Sequence, residues 1–341
     1  MSENTINGFG FVEFASPDAH ALDTLFRRLG FNAIKKHKTK DITLYRQGGI
    51  DFMLNNEKAS FAESFKNQHG PSANGFSIVF DDAKTALDHA VDNGSEPLQG
   101  DLDLPAVKGI GGAVLYLVDK ENYGRLLKND FVEIPGMNQY PSGWGMTFID
   151  HLTHNVHYGN MEKWGQYYVN LFNFEQIRYF DIRGQQTGLT SKAMKSPNGS
   201  VKIPLNESSD EKSQINEYIH EYNGEGIQHI ALYTENIYET IESMRATGVD
   251  CLVTPDTYYS IIDRRVPKHS EDIERLRKNK ILIDADEETG EKILLQIFTE
   301  NCIGPIFFEI IQRKGNEGFG EGNFQALFDS IELEQQRRGY L

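Results

Sequence analysis

The feature that most constrains the fold of this 341-residue chain is internal repetition. Residues 74–98, NGFSIVFDDAKTALDHAVDNGSEPL, and residues 227–252, IQHIALYTENIYETIESMRATGVDCL, share one plan. A short alternating strand leads through an acidic or amide turn into an amphipathic helix, which ends at Gly94 or Gly248, the usual place for a helix-terminating glycine. Residues 9–31 resemble 148–174 in the same way, and IDFMLN at 50–55 matches VKIPLN at 201–206. Four segments pair in the same order, so each half of the chain is expected to hold two strand–helix–strands units. The predicted architecture is α+β: two tandem modules, each a curved, mostly antiparallel sheet that closes around a cleft with helices outside. The turn-rich stretch PGMNQYPSGWG separates the halves near Pro141–Gly143, which gives modules at 1–140 and 145–341.

Charge and cysteine content narrow the partners. With 34 Lys and Arg against 50 Asp and Glu, the net charge is −16, and the basic runs at 35–40 and 275–280 are short. A nucleic-acid binder or a protein docked on anionic lipid carries a basic field instead, so neither partner is expected. Two cysteines, Cys251 and Cys302, exclude a disulfide scaffold and a cysteine-rich metal site. No run of 18 apolar residues and no basic-then-apolar leader is visible, so the expected location is the cytoplasm.

The histidines carry the chemistry. His151, His154 and His157 crowd into HLTHNVH, which lacks a helical apolar stripe and reads as a strand. Aligned through the repeat, His151 falls on His229, whereas His154 falls on Leu232. Side chains alternate along a strand, so His151 and His229 are expected to point into one cleft, with His154 on the opposite face. A third donor is available in GPIFFEIIQR, where Glu309 sits among Ile306, Phe307, Phe308, Ile310 and Ile311. A carboxylate there must be protonated, paired (Arg313 is the nearest candidate) or bound to a metal. Two histidines and one carboxylate suit a non-haem Fe(II) oxygenase, and on ligands alone also zinc, although no HExxH helix is present. The same alignment puts Phe11, Gly75 and Tyr116 at these three places in the first half, which is therefore expected to be metal-free. Near the C-terminus, Gly315, Gly318, Gly320 and Gly322 suggest a hinge, and Phe324, Leu327, Phe328 and Ile331 recur at helical spacing, which suits a lid over a dry site.

Seven ordered segments carry a closer resemblance: IDHLTHNV, GLTSKAM (188–194), PLNE (204–207), GEGIQHIA (224–231), LLQIFTE (294–300), FFEIIQR (307–313) and GFGEGNFQALF (318–328). Together the chain resembles the 4-hydroxyphenylpyruvate dioxygenase family, whose fold is the paired βαβββ arrangement of the vicinal oxygen chelate (glyoxalase-like) superfamily. The resemblance implies Fe(II) held by His151, His229 and Glu309, and conversion of 4-hydroxyphenylpyruvate and O₂ to homogentisate and CO₂ in tyrosine and phenylalanine catabolism. It further implies a polar substrate network of Ser191, Asn206, Gln214 and Gln228, the last two near the phenol end. Gln296 and Phe298 would face the cleft, Phe307, Phe319 and Phe324 would form aromatic walls, and Asn323 would join Gly318, Gly320 and Gly322 in the lid. Homodimers or homotetramers are implied, with the metal-free half as contact surface. The rival readings are 4-hydroxymandelate synthase, a non-catalytic binding protein of the same superfamily that takes an aromatic ligand, and a zinc hydrolase.

Overall fold

In the computed structural model, residues 4–183, 187–286, 288–320, 322–323, 335–336 and 338–340 are described. Eight strands come from the first half: β1 (Ile6–Ala15), β2 (Asn32–His37), β3 (Ile42–Gln47), β4 (Ile50–Asn55), β5 (Ser72–Phe80), β6 (Ala106–Lys108), β7 (Val114–Val118) and β8 (Phe131–Glu133). Eight more come from the second: β9 (Met146–Asn155), β10 (Glu175–Arg183), β11 (Gly188–Lys195), β12 (Lys202–Glu207), β13 (Gly226–Thr234), β14 (Leu282–Ala285), β15 (Ile293–Phe298) and β16 (Phe307–Lys314).

Each half forms one eight-stranded mixed sheet. The orders are β6-β7-β5-β1-β4-β3-β2-β8 and β10-β11-β12-β9-β13-β16-β15-β14. In both sheets the two leading strands of the half lie antiparallel at the centre, β1 on β5 and β9 on β13. Each is flanked on its other side by a parallel partner, β4 and β7 in the first sheet, β12 and β16 in the second. The expected repeat is thus visible as strand pairing. The first, third and fourth units are full βαβββ motifs. In the second unit the strand expected after the helix is reduced to a single bridge between Pro97 and Val107.

The helices form for local reasons. Asp18, Asp82 and Asn236 each accept a backbone N–H of the following first turn with the side chain, which starts the helices Ala19–Arg28, Ala83–Asp92 and Ile237–Ala246. Their buried faces, Leu22 and Phe26 in the first and Ile237, Ile241 and Met244 in the last, pack on the convex side of the sheets. One apolar core runs through both halves there. Phe52 stacks on Phe308 at 5.9 Å, Phe80 meets Phe172 at 5.4 Å, and Phe76 meets the His154 ring at 5.7 Å. His69 Nδ1 lies 2.7 Å from the Tyr222 carbonyl oxygen and adds a polar latch across the same seam.

The concave sides differ, and the difference positions the site. In the first sheet the interior is filled by Phe11, Ile34, Leu44, Met53, Val114 and Tyr116, all essentially inaccessible. In the second, only Leu282, Phe298 and Phe307 form a small apolar cluster, and the remaining space is a cleft.

Candidate metal centre

His151 stands on β9, His229 on β13 and Glu309 on β16, three strands that are neighbours in the sheet. Register brings them level: Ala231 pairs with His151 across one seam and with Glu309 across the other. The Nε2 atoms of the two histidines lie 3.3 Å apart, and Glu309 Oε2 is 3.1 Å from His151 Nε2 and 3.4 Å from His229 Nε2. Three donors bound at about 2.1 Å to one ion must sit roughly 3.0–3.4 Å apart, so these separations suit a single shared cation. Among the described residues this is the one group of three His, Cys, Asp or Glu side chains that converges in this way, and all three members are buried.

The tautomers strengthen the case. Asp150 Oδ1 is 2.8 Å from His151 Nδ1, and Gln228 Oε1 is 3.0 Å from His229 Nδ1. Each oxygen accepts the Nδ1 proton, so both bare Nε2 lone pairs are aimed at each other and at a carboxylate. A cation relieves that clash, and this orientation of imidazole by an oxygen acceptor is characteristic of metal-bound histidine. Burial opposes charge on all three groups. Even so, His151 and His229 hold the Glu309 carboxyl down to about 2. Burial also opposes charge on His151, but the carboxylates of Glu309 and Asp150 raise it above the ordinary imidazole value.

Two β-bulges aim the orienting oxygens. Across β9 and β13 the pairing steps from Ala231–His151 to Leu232–Ile149, which leaves Asp150 unpaired. It steps likewise from Ile227–His154 to His229–Thr153, which leaves Gln228 unpaired. In a regular strand Asp150 and Gln228 would point away from the histidines that follow them. The extra residue turns each to the same side. The first sheet keeps both irregularities, at Gly10–Phe11 and at Asn74, but not the chemistry. A side chain on Gly75, the position equivalent to His229, would meet the Val114 carbonyl oxygen at 2.9 Å, and Tyr116, the position equivalent to Glu309, donates to Glu13 at 2.8 Å. The expected absence of these three ligand types from the first half has a steric reason: the place is full.

A cleft opens beside the two histidines. Its walls include Ser191, Asn206, Gln214, Gln228 and Phe319, five of the residues named from the sequence, together with His151 and His229. The structure places four other residues named from the sequence elsewhere. Phe307 stacks on the His229 ring at 4.9 Å, and Phe298 meets Phe307 edge-on at 6.1 Å. Gln296 donates to Glu309 Oε1 at 2.7 Å and to the Phe319 carbonyl oxygen at 2.9 Å, and Asn323 donates to Gln296 Oε1 at 2.9 Å. These four support the cleft from behind. Phe324 and the stretch expected to form the lid helix lie outside the described residues.

The glycine-rich segment is strapped down. Gly320 has φ +76°, and a Cβ there would lie 1.9 Å from Gln296 Oε1, so the glycine is needed for close approach. Gly322 N–H donates to Asp284, and the Gly318 carbonyl oxygen accepts from Arg313.

Sequence reasoning missed Thr153, Ile182 and Leu189 on the cleft wall, which Pro204 of PLNE also lines. Thr153 was reachable, since it lies two residues beyond His151 on one strand. Asp150 and Gln228 as orienting groups were not, because a bulge breaks the alternation from which faces are read. Arg313, considered as a partner for Glu309, is paired with Asp150 instead. His154 is on the core side as expected, and burial pushes it down to about 3, which makes it a neutral packing residue.

Comparison with known proteins agrees with this geometry. A family model described as hydroxyphenylpyruvate dioxygenase, HPPD, N-terminal matches residues 3–132, and one for the glyoxalase/bleomycin resistance protein/dioxygenase superfamily matches 148–260. The chain is 49% identical over 340 residues to a protein of Legionella pneumophila (strain Corby) named 4-hydroxyphenylpyruvate dioxygenase, covering 98% of this chain and 97% of that one. It is 51% identical over 347 residues to a Vibrio vulnificus (strain CMCP6) protein named hemolysin VllY, covering 98% and 96%. Among solved structures, a triple mutant of 4-hydroxymandelate synthase from Streptomyces coelicolor matches with a TM-score of 0.85 at 24% identity, over 97% of this chain and 99% of that one, which is a likeness of fold. With about half its residues shared along nearly the whole length of such relatives, this chain belongs to the 4-hydroxyphenylpyruvate dioxygenase family.

Proposed function

We propose that the protein is an Fe(II)-dependent dioxygenase that converts 4-hydroxyphenylpyruvate and O₂ to homogentisate and CO₂, a step of tyrosine and phenylalanine catabolism. The observation that carries this reading is the convergence of His151, His229 and Glu309 beside a cleft lined by both polar and apolar side chains. These three side chains would hold the iron on one face and leave its other face open to the cleft. When bound, the iron would supply the redox chemistry by which the keto acid reacts with O₂.

The chain's own residues do the rest. Asp150 and Gln228 keep the Nδ1 protons in place, so the Nε2 lone pairs face the iron. Ser191, Asn206, Gln214 and Gln228 offer hydrogen bonds to the substrate's polar ends. Asn206 Nδ2 lies 3.2 Å from Asn155 Oδ1 and 3.4 Å from Gln228 Oε1, which fixes its amide. Ile182, Leu189, Pro204 and Phe319 supply flat apolar walls for a phenol ring. Phe319 meets the His151 ring edge-on at 5.5 Å and shields that side from water.

The organisation that fits this function is a metal-free module at 1–140 and a catalytic module at 145–341. We further propose a cytoplasmic homodimer or homotetramer joined through the metal-free half; no helix among the described residues is long and apolar enough to cross a membrane. The test is turnover of the keto acid by the iron-loaded protein, followed by O₂ uptake and product mass and retention. Homogentisate with one O₂ consumed per CO₂ released supports the reading. A hydroxymandelate product, uptake without product, or oxygen-independent hydrolysis stimulated by zinc contradicts it.

A further inference from the structure

The residues behind the site form a second layer of structure that the reaction itself does not require. Arg313 lies four residues beyond Glu309 on β16 and is nearly inaccessible. Its Nε and Nη2 donate to the two oxygens of Asp150, both at 2.7 Å, in the bidentate geometry that fixes a carboxylate plane. Its remaining nitrogen, Nη1, donates to the carbonyl oxygens of Asn316 at 3.0 Å and Gly318 at 2.5 Å. One guanidinium thus grips the carboxylate that orients His151 and the backbone just before Phe319, whose ring packs against His151. A parallel tether runs from Glu309 through Gln296 to the Phe319 carbonyl oxygen.

The first half offers an internal control. The strand register that equates Tyr116 with Glu309 equates Gly10 with Asp150, and β7 ends at Val118, before it could present a counterpart of Arg313. The half without the ligands therefore also lacks the carboxylate–guanidinium pair, although it keeps the bulge that would present it. The side chains of Arg313 and Asp150 are 7% and 2% exposed, so the pair lies inside the protein. A charged pair is a costly way to fill space, and apolar residues of similar volume often replace one without loss of stability.

We propose that Arg313, acting through Asp150, is a positioning residue that couples the seating of the Asn316–Phe319 strap over the cleft to the orientation of the metal ligand His151. The inference rests on His151 being a metal ligand. Coupling of this kind is reciprocal: if the seated strap favours metal binding, bound metal favours the seated strap.

The experiment uses Co(II) as a spectroscopic stand-in on the full chain, with affinity from chelator competition and amide exchange across residues 315–323. In the wild type, Co(II) should slow exchange of the strap. In Arg313→Gln, Co(II) affinity should fall about 10–100-fold, the range for losing a group that orients a ligand, the visible spectrum should shift, and metal-dependent protection of the strap should disappear. Arg313→Lys keeps the charge but not the fork, and should recover affinity only in part. If Arg313→Gln does not fold, Asp150→Asn replaces it, with the same loss of metal-dependent protection expected. Affinity within twofold of wild type, or strap protection by metal that survives the substitution, overturns the proposal. Absence of Co(II) binding by the wild type overturns the metal-site reading and this inference together, whereas wild-type binding with an indifferent variant overturns the inference alone.

Discussion

At the scale of single residues, the site is a set of buried charges whose costs have to be offset locally. Glu309 is buried against two imidazoles, and Asp150 and Gln228 lie against the Nδ1 atoms of those rings. Removing one ligand should therefore cost more than one bond. Glu309→Gln is expected to lower Fe(II) affinity by at least about 100-fold, since even a lost orienting partner costs 10–100-fold, and to abolish turnover; metal titration and O₂ uptake check this. The plugged counterpart in the first half makes a second prediction. Burial raises the Glu13 carboxyl above its ordinary value of 4.5, with Asp101 adding to the rise and the Asn55 and Tyr116 hydrogen bonds opposing it. A raised folded value means that stability is intact below pH 4.5 and is lost as pH climbs through the folded value. Glu13→Gln does not titrate, so its melting temperature relative to wild type should rise between pH 4 and pH 7. A gap that stays constant or narrows would show that Glu13 is not held against ionisation. The sequence made His151, His229 and Glu309 legible because the repeat singles out the two histidines and an acid in an apolar strand has few bland explanations. It hid Asp150 and Gln228, whose role exists only through the bulges.

At the scale of elements, the repeat was readable and the irregularities were not. Strand, turn and helix recur because the same alternation and the same capping residues recur, so β1 with β9 and β5 with β13 could be paired on paper. Loss of a strand to the Pro97–Val107 bridge leaves no comparable mark in the sequence. The glycine-rich segment shows the same limit. Four glycines read as a hinge, but Gly320 is there because Gln296 occupies the space a side chain would need. Gly320→Ala should unseat the strap. The left-handed backbone alone costs an alanine about 1–3 kcal/mol, so exchange at residues 316–323 should rise about 10-fold or more while the melting temperature moves by only a few degrees. Unchanged exchange would show that the strap does not depend on that approach.

At the scale of the whole molecule, two sheets of one plan have opposite interiors. One is packed solid with Phe11, Met53 and Tyr116; the other is open around three ligand-type side chains. The packed half supports the open one across a shared core in which Phe52 stacks on Phe308, the residue before Glu309. This dependence was not legible in the sequence, where the turn-rich stretch near Pro141 suggests two separable modules. A common core predicts a single cooperative unfolding transition for the full chain by calorimetry, with the His69→Ala variant, which loses the latch to Tyr222, lowering its midpoint without splitting it. Two resolved transitions would mean that the halves are thermodynamically separate.

The central claim is that His151, His229 and Glu309 share one iron. Crystals of the Fe(II)-loaded protein, with diffraction collected on either side of the iron absorption edge, test it most directly. The account predicts one strong anomalous peak per chain, about 2.2 Å from His151 Nε2, His229 Nε2 and Glu309 Oε2 together. A peak that misses any one of the three, or iron bound elsewhere with this triangle empty, would contradict it.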